Sequence, residues 1–262
     1  MTDPFERAVD VLADVDRIMV FTGAGISTES GIPDFRGPDG LWTKVDPDDF
    51  TIQRYRTSRE VRVAGWKMHQ EGALWGARSS VRPNRAHEAV VALWRAGRMS
   101  GCVTQNIDGL HQAAGLPDDQ VAELHGNVRK VHCLSCEARW ETEEVLRWVD
   151  AGDEDPTCPH CGGLVKTTTV MFGEYLPLDQ IQRAERFAAE AGGVLVVGST
   201  LSVYPAAQIP LDVVRRGGPM VIVNLGPTEG DRLATVRVEG SAGEVLPRLV
   251  DAVVDRQGRQ ST

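Results

Sequence analysis

Arg17-Ile-Met-Val-Phe-Thr-Gly-Ala-Gly-Ile-Ser-Thr-Glu-Ser-Gly-Ile-Pro-Asp-Phe-Arg-Gly37 changes character within a few residues. Residues 17–22 form an apolar run that reads as a buried strand. The run passes straight into Gly23, Ala24 and Gly25, with Ser27 and Thr28 behind them. A strand that ends in small residues lets backbone N–H groups approach an anion, so this stretch reads as the mouth of a phosphate cradle.

The chain on either side repeats the theme. Residues 4–15 read as an acidic opening helix with Val9, Leu12 and Val15 on one face. Residues 84–98 form a second helix, with Ala86, Val90, Leu93 and Trp94 along one side and Gly97 closing it. Residues 101–104 are a short buried strand that again ends in polar residues. Residues 194–197 and 220–223 are near-continuous apolar strands separated by a helix around 206–216. Val236 and Val238 suggest an edge strand, residues 242–254 a closing helix, and residues 256–262 a frayed tail. Uninterrupted apolar strands suit a parallel sheet covered on both faces, so the fold class reads as α/β. Two segments depart from this texture. Residues 38–82 are rich in Asp, Arg and aromatics and read as an inserted, partly helical lobe; residues 128–166 read as a cysteine-bearing ribbon.

At 262 residues the chain can hold one large α/β domain and a small insert. A composition of 42% hydrophobic and 25% charged residues supports a buried core. The formal charge of −9 argues against direct nucleic-acid binding, which needs a basic face. Met1-Thr-Asp-Pro-Phe-Glu-Arg lacks the cationic start and apolar stretch of a signal peptide, and no apolar run is long enough to span a bilayer. The expectation is a cytoplasmic protein without membrane partners, with a monomer as the default state.

Four of the five cysteines fall in two C-x-x-C hooks, Cys133-Leu-Ser-Cys136 and Cys158-Pro-His-Cys161. Two such hooks supply four thiolates, which complete a tetrahedron around one zinc ion and leave no open position for a catalytic water. The zinc is therefore expected to be structural. Two disulfides or a reactive dithiol are the alternative. His132 and His160 beside the hooks are expected to be solvated turn residues, and Cys102 a small core residue.

The Gly23-Ala-Gly25 pair matches only part of the dinucleotide fingerprint, because Thr28 occupies the place of its third glycine. A hydride-transferring dehydrogenase fits poorly. The longer string 23–37, Thr104-Gln-Asn-Ile-Asp-Gly-Leu-His111, Leu124-His-Gly126, the four cysteines, Phe172-Gly-Glu174, Gly198-Ser-Thr-Leu-Ser-Val-Tyr-Pro205 and Asn224-Leu225 follow one another in order. Together they closely resemble the sirtuin family over nearly the whole chain, from about residue 17 to 247. The resemblance implies an NAD-dependent protein lysine deacylase that consumes NAD as a co-substrate and acts on acyl-lysine proteins. It also implies a Rossmann-like domain over 1–37, 83–126 and 168–262. A small domain of helical insert and zinc ribbon would cover 38–82 and 127–167, with the ligands meeting in the cleft between.

The resemblance assigns roles residue by residue. Gly23, Ala24 and Gly25 would face the pyrophosphate; Asp34, Phe35 and Arg36 would lie on a loop, with Phe35 guarding the nicotinamide side. Gln105, Asn106, Ile107 and Asp108 follow a strand end, the ligand edge of an open α/β sheet. There Asp108 would accept from the nicotinamide amide and Asn106 would orient a ribose or a water. His111 would brace this loop. His125 is the expected general base, since an imidazole titrating near neutrality can take a proton from a ribose hydroxyl. Gly198, Ser199, Thr200, Asn224, Leu225 and Ala242 would serve the adenosine side, with Gly198-Ser-Thr200 standing where relatives carry G-T-S or G-S-S. Val170, Phe172 and Val203 would border the acyl-lysine tunnel, and Gly173 and Glu174 would flank an extended substrate. The helical lobe has no Tyr-x-x-Arg pair, since Tyr55 is followed three places later by Ser58. An acetyl or longer apolar acyl group is therefore expected over an acidic one. Two other readings share these motifs: transfer of ADP-ribose to a protein side chain, and a non-enzymatic NAD-binding or zinc-ribbon module.

Overall fold

A computed structural model describes residues 3–34, 40, 43, 46–73 and 75–260, with backbone only for 257–260. Helix α1 (Pro4–Ala13) starts on an Asp3 cap and buries Ala8, Val9, Leu12 and Ala13. Strand β1 (Ile18–Thr22) is buried at all five positions. Single 3-10 turns follow at Ala24–Ile26 and Thr28–Ser30. The insert carries helices α2 (Ile52–Thr57) and α3 (Arg59–Glu71), each capped by a hydroxyl: Thr51 accepts from the Arg54 N–H and Ser58 from the Val61 N–H.

Helix α4 (Arg85–Arg95) begins on a reciprocal capping box between Asn84 and His87. Strand β2 (Met99–Thr104), the short helix α5 (Leu110–Ala113) and strand β3 (Val121–Glu123) come next. The ribbon holds β4 (Lys130–Cys133), β5 (Arg139–Glu141), α6 (Thr142–Asp150) and β6 (Val165–Thr167). Helix α7 (Leu178–Glu190), strand β7 (Gly193–Val197), helix α8 (Gln208–Arg215), strand β8 (Met220–Asn224), strand β9 (Val236–Glu239) and helix α9 (Ala242–Gln260) complete the chain.

The main sheet has the order β3-β2-β1-β7-β8-β9, and every pairing is parallel. Both faces are covered. One packs on α1, α4 and α9 through residues such as Leu12, Val90, Leu93 and Leu249; the other buries Phe21, Val196 and Ile222 with Phe187 and Ile209. The order reverses beside β1, where one neighbour is β2 and the other β7. That is the topological switch point at which an open α/β sheet leaves a crevice beyond its carboxyl ends.

Strands β5-β4-β6 form a small antiparallel sheet. Its core of Val131, Val145, Leu146 and Val165 also takes Trp66 from α3. The insert and the ribbon are thus packed together. A bidentate ion pair from Arg62 to Asp155, at 2.8 and 2.7 Å and largely shielded from water, ties them further.

Three features differ from the sequence expectations. The spacer between the cysteine hooks contains a helix, α6, because Val145 and Leu146 bury into the ribbon core. Helix α9 does not stop at Val254 but continues to Gln260, with Arg256 paired to Asp10 of α1. His132 is not a solvated turn residue. It lies in β4 opposite Lys166, and its Nε2 is buried with no hydrogen-bond partner. Burial and the Lys166 charge push its pKa down to about 4. His160 is exposed in a turn and stacks on Trp140, and Cys102 is fully buried. Among the described residues, no helix is long and apolar enough to cross a membrane.

Candidate active site

Beyond the carboxyl ends of β1, β2, β7 and β8 lies a cleft of ≈ 1760 Å³. Two loops form its floor by packing backbone on backbone. The Gly23 N–H donates to Val197 O at 3.1 Å and the Gly25 N–H to Gly198 O at 2.9 Å. A Cβ on Gly25 would stand 2.6 Å from Gly198 Cα, and Gly198 itself has φ +61°. Only glycine permits this approach.

The cleft is lined by Gly23, Ala24, Gly25 and Asp34 after β1, by Gln105, Asn106 and Ile107 after β2, and by His125 after β3. Gly198, Ser199, Thr200 and Val203 contribute from the β7 side, Asn224 and Leu225 from β8, and Ala242 from the start of α9. Val170, Phe172, Gly173 and Glu174 line it from the segment that leaves the ribbon. Phe35 and Arg36 lie outside the described residues. Asp108 lines a different, smaller cavity of ≈ 250 Å³ with Trp75, Arg82 and Arg129. Its carboxylate accepts from Ser27 Oγ at 2.8 Å and from the Leu110 N–H at 2.9 Å, while burial raises its pKa.

His125 is held by one contact that fixes its chemistry. Its Nδ1 lies 2.9 Å from the Gln105 carbonyl oxygen, which can only accept. The hydrogen of the neutral ring therefore sits on Nδ1, and Nε2 keeps the lone pair. Burial lowers the imidazole pKa, and the bond to the Gln105 carbonyl partly offsets it. The His125 carbonyl accepts from the Val170 N–H at 2.8 Å, joining this loop to the segment bearing Phe172.

A buried polar chain lies behind the floor. Asn106 Nδ2 donates to Gly23 O and to Ser27 Oγ, each at 3.1 Å. His87 accepts from the Asn84 N–H at Nδ1 and sits 3.4 Å from Ser27 Oγ through Nε2. His111 Nε2 is 2.9 Å from Thr22 Oγ1. Burial depresses the pKa of both histidines. Ser27 does not stand out in the sequence as a partner of Asn106, nor His87 as a partner of Ser27. The sheet order sets the β1 and β2 loops side by side, and the start of α4 brings His87 against Ser27.

Lys166 is another cleft residue that the sequence does not mark. Its side chain is 2% exposed, yet it forms an ion pair with Glu174 at 3.0 Å and donates to Thr167 O at 3.0 Å. Burial lowers its pKa and the Glu174 charge works against that.

The Sγ atoms of Cys133, Cys136, Cys158 and Cys161 all lie within 4.8 Å of one another, with nearest approaches of 3.6 Å. Those approaches are far longer than a disulfide bond, and all four thiols are free. A tetrahedron with Zn–S bonds of about 2.3 Å has edges of roughly 3.8 Å, so the donor set fits one structural zinc.

The family model described as the Sir2 family matches residues 23–205. The chain belongs to the Sir2 family. An NAD-dependent protein deacetylase of Caldivirga maquilingensis is 42% identical over 247 residues, covering 94% of this chain and 93% of the relative. The NAD-dependent protein deacylase 2 of Archaeoglobus fulgidus is 40% identical over 260 residues, covering 97% of each. A solved Sir2 variant with a deacetylated peptide and 3′-O-acetyl ADP-ribose matches with a TM-score of 0.82 at 36% identity, covering 97% of this chain and 98% of that one. The parallel sheet, the cysteine cluster and the motif order all agree with Sir2 membership.

Proposed function

We propose that this Sir2 protein is an NAD-dependent protein lysine deacylase. It converts acyl-lysine, NAD and water into free lysine, nicotinamide and O-acyl-ADP-ribose. NAD supplies the ribose carbon that accepts the acyl oxygen as nicotinamide leaves, and the ribose hydroxyl that finally carries the acyl group. On this reading the large domain spans 1–37, 83–126 and 168–262, and the small one 38–82 and 127–167. Two Cys-x-x-Cys hooks, in place of a scattered disulfide pattern, support a cytoplasmic setting.

The observation that carries the proposal is the His125 tautomer. A neutral ring with Nδ1–H bound to Gln105 O offers the Nε2 lone pair as a base within a cleft residue. Asn106, anchored through Nδ2 to Gly23 O and Ser27, lines the same cleft, where its amide oxygen would accept from a ribose hydroxyl or a water. The N–H groups of Gly23, Gly25 and Gly198 are used within the floor, so the backbone amides of Ala24, Ser199 and Thr200 would meet the pyrophosphate end, without side-chain charge. Asn224, Leu225 and Ala242 border the adenosine, and Val170, Phe172 and Val203 the acyl-lysine. No serine or cysteine nucleophile is needed.

The test is nicotinamide release from NAD with and without an acetyl-lysine peptide, with mass spectrometry of the products. Release that depends on the peptide, with O-acetyl-ADP-ribose formed, is the expected result. Release without the peptide, or a protein made heavier by ADP-ribose, would replace deacylation with hydrolysis or transfer.

A further inference from the structure

Thr168 follows β6, in the segment that runs from the ribbon towards Phe172. Its neighbours Thr167 and Thr169 line the cleft and share a hydrogen bond between their Oγ1 atoms at 2.8 Å. The Thr168 hydroxyl turns to Asn127 instead. It donates to Asn127 O at 2.9 Å and accepts from the Asn127 N–H at 3.2 Å. One side chain thus pairs both backbone groups of a single residue, using its one donor and one of its acceptor sites.

Asn127 lies two residues past His125, in the turn between β3 and β4. It is buried, and its side chain bridges the turn: Nδ2 donates to Glu123, and Oδ1 accepts from the Arg129 N–H at 2.6 Å. Gly126 has φ +72°, and a Cβ there would stand 1.9 Å from Thr168 O. The turn is therefore pressed against residue 168 with no room for a side chain between them. Backbone bonds frame the contact, from the Thr168 N–H to Lys130 O and from the Val170 N–H to His125 O, each at 2.8 Å. Within this set, the two bonds of the Thr168 hydroxyl are the part that a substitution can remove. An apolar side chain of the same shape would leave both Asn127 groups unpaired. The ring's own bond to Gln105 O would stay in place.

We propose that Thr168 is a positioning residue for His125. Its hydroxyl locks the turn that carries the imidazole onto the segment that carries Val170 and Phe172, so that base and acyl-lysine meet in fixed register. The inference rests on the deacylase reading and adds to it a residue that acts through His125.

The experiment uses zinc-loaded protein, NAD and an acetyl-lysine peptide, with O-acetyl-ADP-ribose formation followed in wild type, Thr168→Val and Thr168→Ser. A small displacement of a catalytic group is costly, so Thr168→Val should lower kcat by about tenfold or more. KM for NAD should stay within about twofold, and Thr168→Ser, which keeps the hydroxyl, should recover most of kcat. In a His125→Ala background the valine change should add less than about a twofold loss, because the group it positions is gone. Thr168→Cys, which keeps a weak donor and acceptor, replaces the valine variant in both backgrounds if that variant does not fold. An unchanged kcat in the folded variant, a KM for NAD that rises as much as kcat falls, or an undiminished loss without His125 would overturn the role. Failure of the wild type to consume the peptide would instead overturn the deacylase reading beneath it.

Discussion

His125 Nδ1 is fixed 2.9 Å from the Gln105 carbonyl oxygen, and this bond ties the end of β3 to the end of β2. It sets which nitrogen can act as base, and burial sets when. The ordinary value of 6.5 is lowered, so the ring stays neutral further into acid than a solvated histidine. Loss of the base form on protonation should give kcat an acid limb with its midpoint below 6.5. His125→Ala should lower kcat by about 10² to 10⁴ with the fold unchanged. An acid limb centred above 6.5, or formation of O-acyl-ADP-ribose unaffected in the variant, would contradict this role.

Gly198 should tolerate no side chain. Its φ of +61° is unfavourable for other residues, and its Cβ would lie 2.4 Å from the Ile26 nitrogen. The floor of the cleft would have to open to admit it. Gly198→Ala is expected to cost about 2 kcal/mol or more in urea unfolding and to raise KM for NAD more than KM for peptide. Equal stability and an unaltered KM for NAD would show that the two loops can part freely.

One zinc per chain should be found by metal analysis of the purified protein, and strong chelation should release it. The ribbon core is small, and Cys133 and Cys158 are themselves part of it. Metal loss should therefore loosen Trp66, Trp140 and Trp148, read as a red shift in tryptophan fluorescence. Cys158→Ser should reproduce the shift. A chain that binds no zinc, or whose fluorescence ignores its removal, would refute the structural role.

Much of this architecture is legible in the residues. Apolar runs at 17–22, 194–197 and 220–223 could only be buried strands, and their glycine and polar ends located the ligand edge. The cysteine hooks were equally plain. Helix α6 was not, because nine residues between two zinc hooks gave a short periodic signal inside a polar ribbon. The pairing of Ser27 with Asn106 and with His87, and of Lys166 with Glu174, depends on which segments the fold brings together. No local pattern encodes that.

The Lys166–Glu174 pair should position the segment that carries Val170 and Phe172. Lys166 follows Val165, which pairs with Cys133 in the ribbon, and its ammonium reaches Glu174 at 3.0 Å. The ribbon and the segment that carries Val170 and Phe172 are therefore joined through one buried charge. Removing only the cation leaves a shielded carboxylate without its partner, which typically costs about 3–5 kcal/mol. Lys166→Met should accordingly lower stability and raise KM for the acyl peptide, with a smaller effect on KM for NAD. Lys166→Arg keeps the charge and should restore most of both losses. The double variant Lys166→Met with Glu174→Gln removes both charges and should regain stability relative to Lys166→Met alone. If the double variant is as unstable as the sum of its parts, the pair is not coupled, and the segment must be held by its backbone bonds to Phe50 and Ile52 instead.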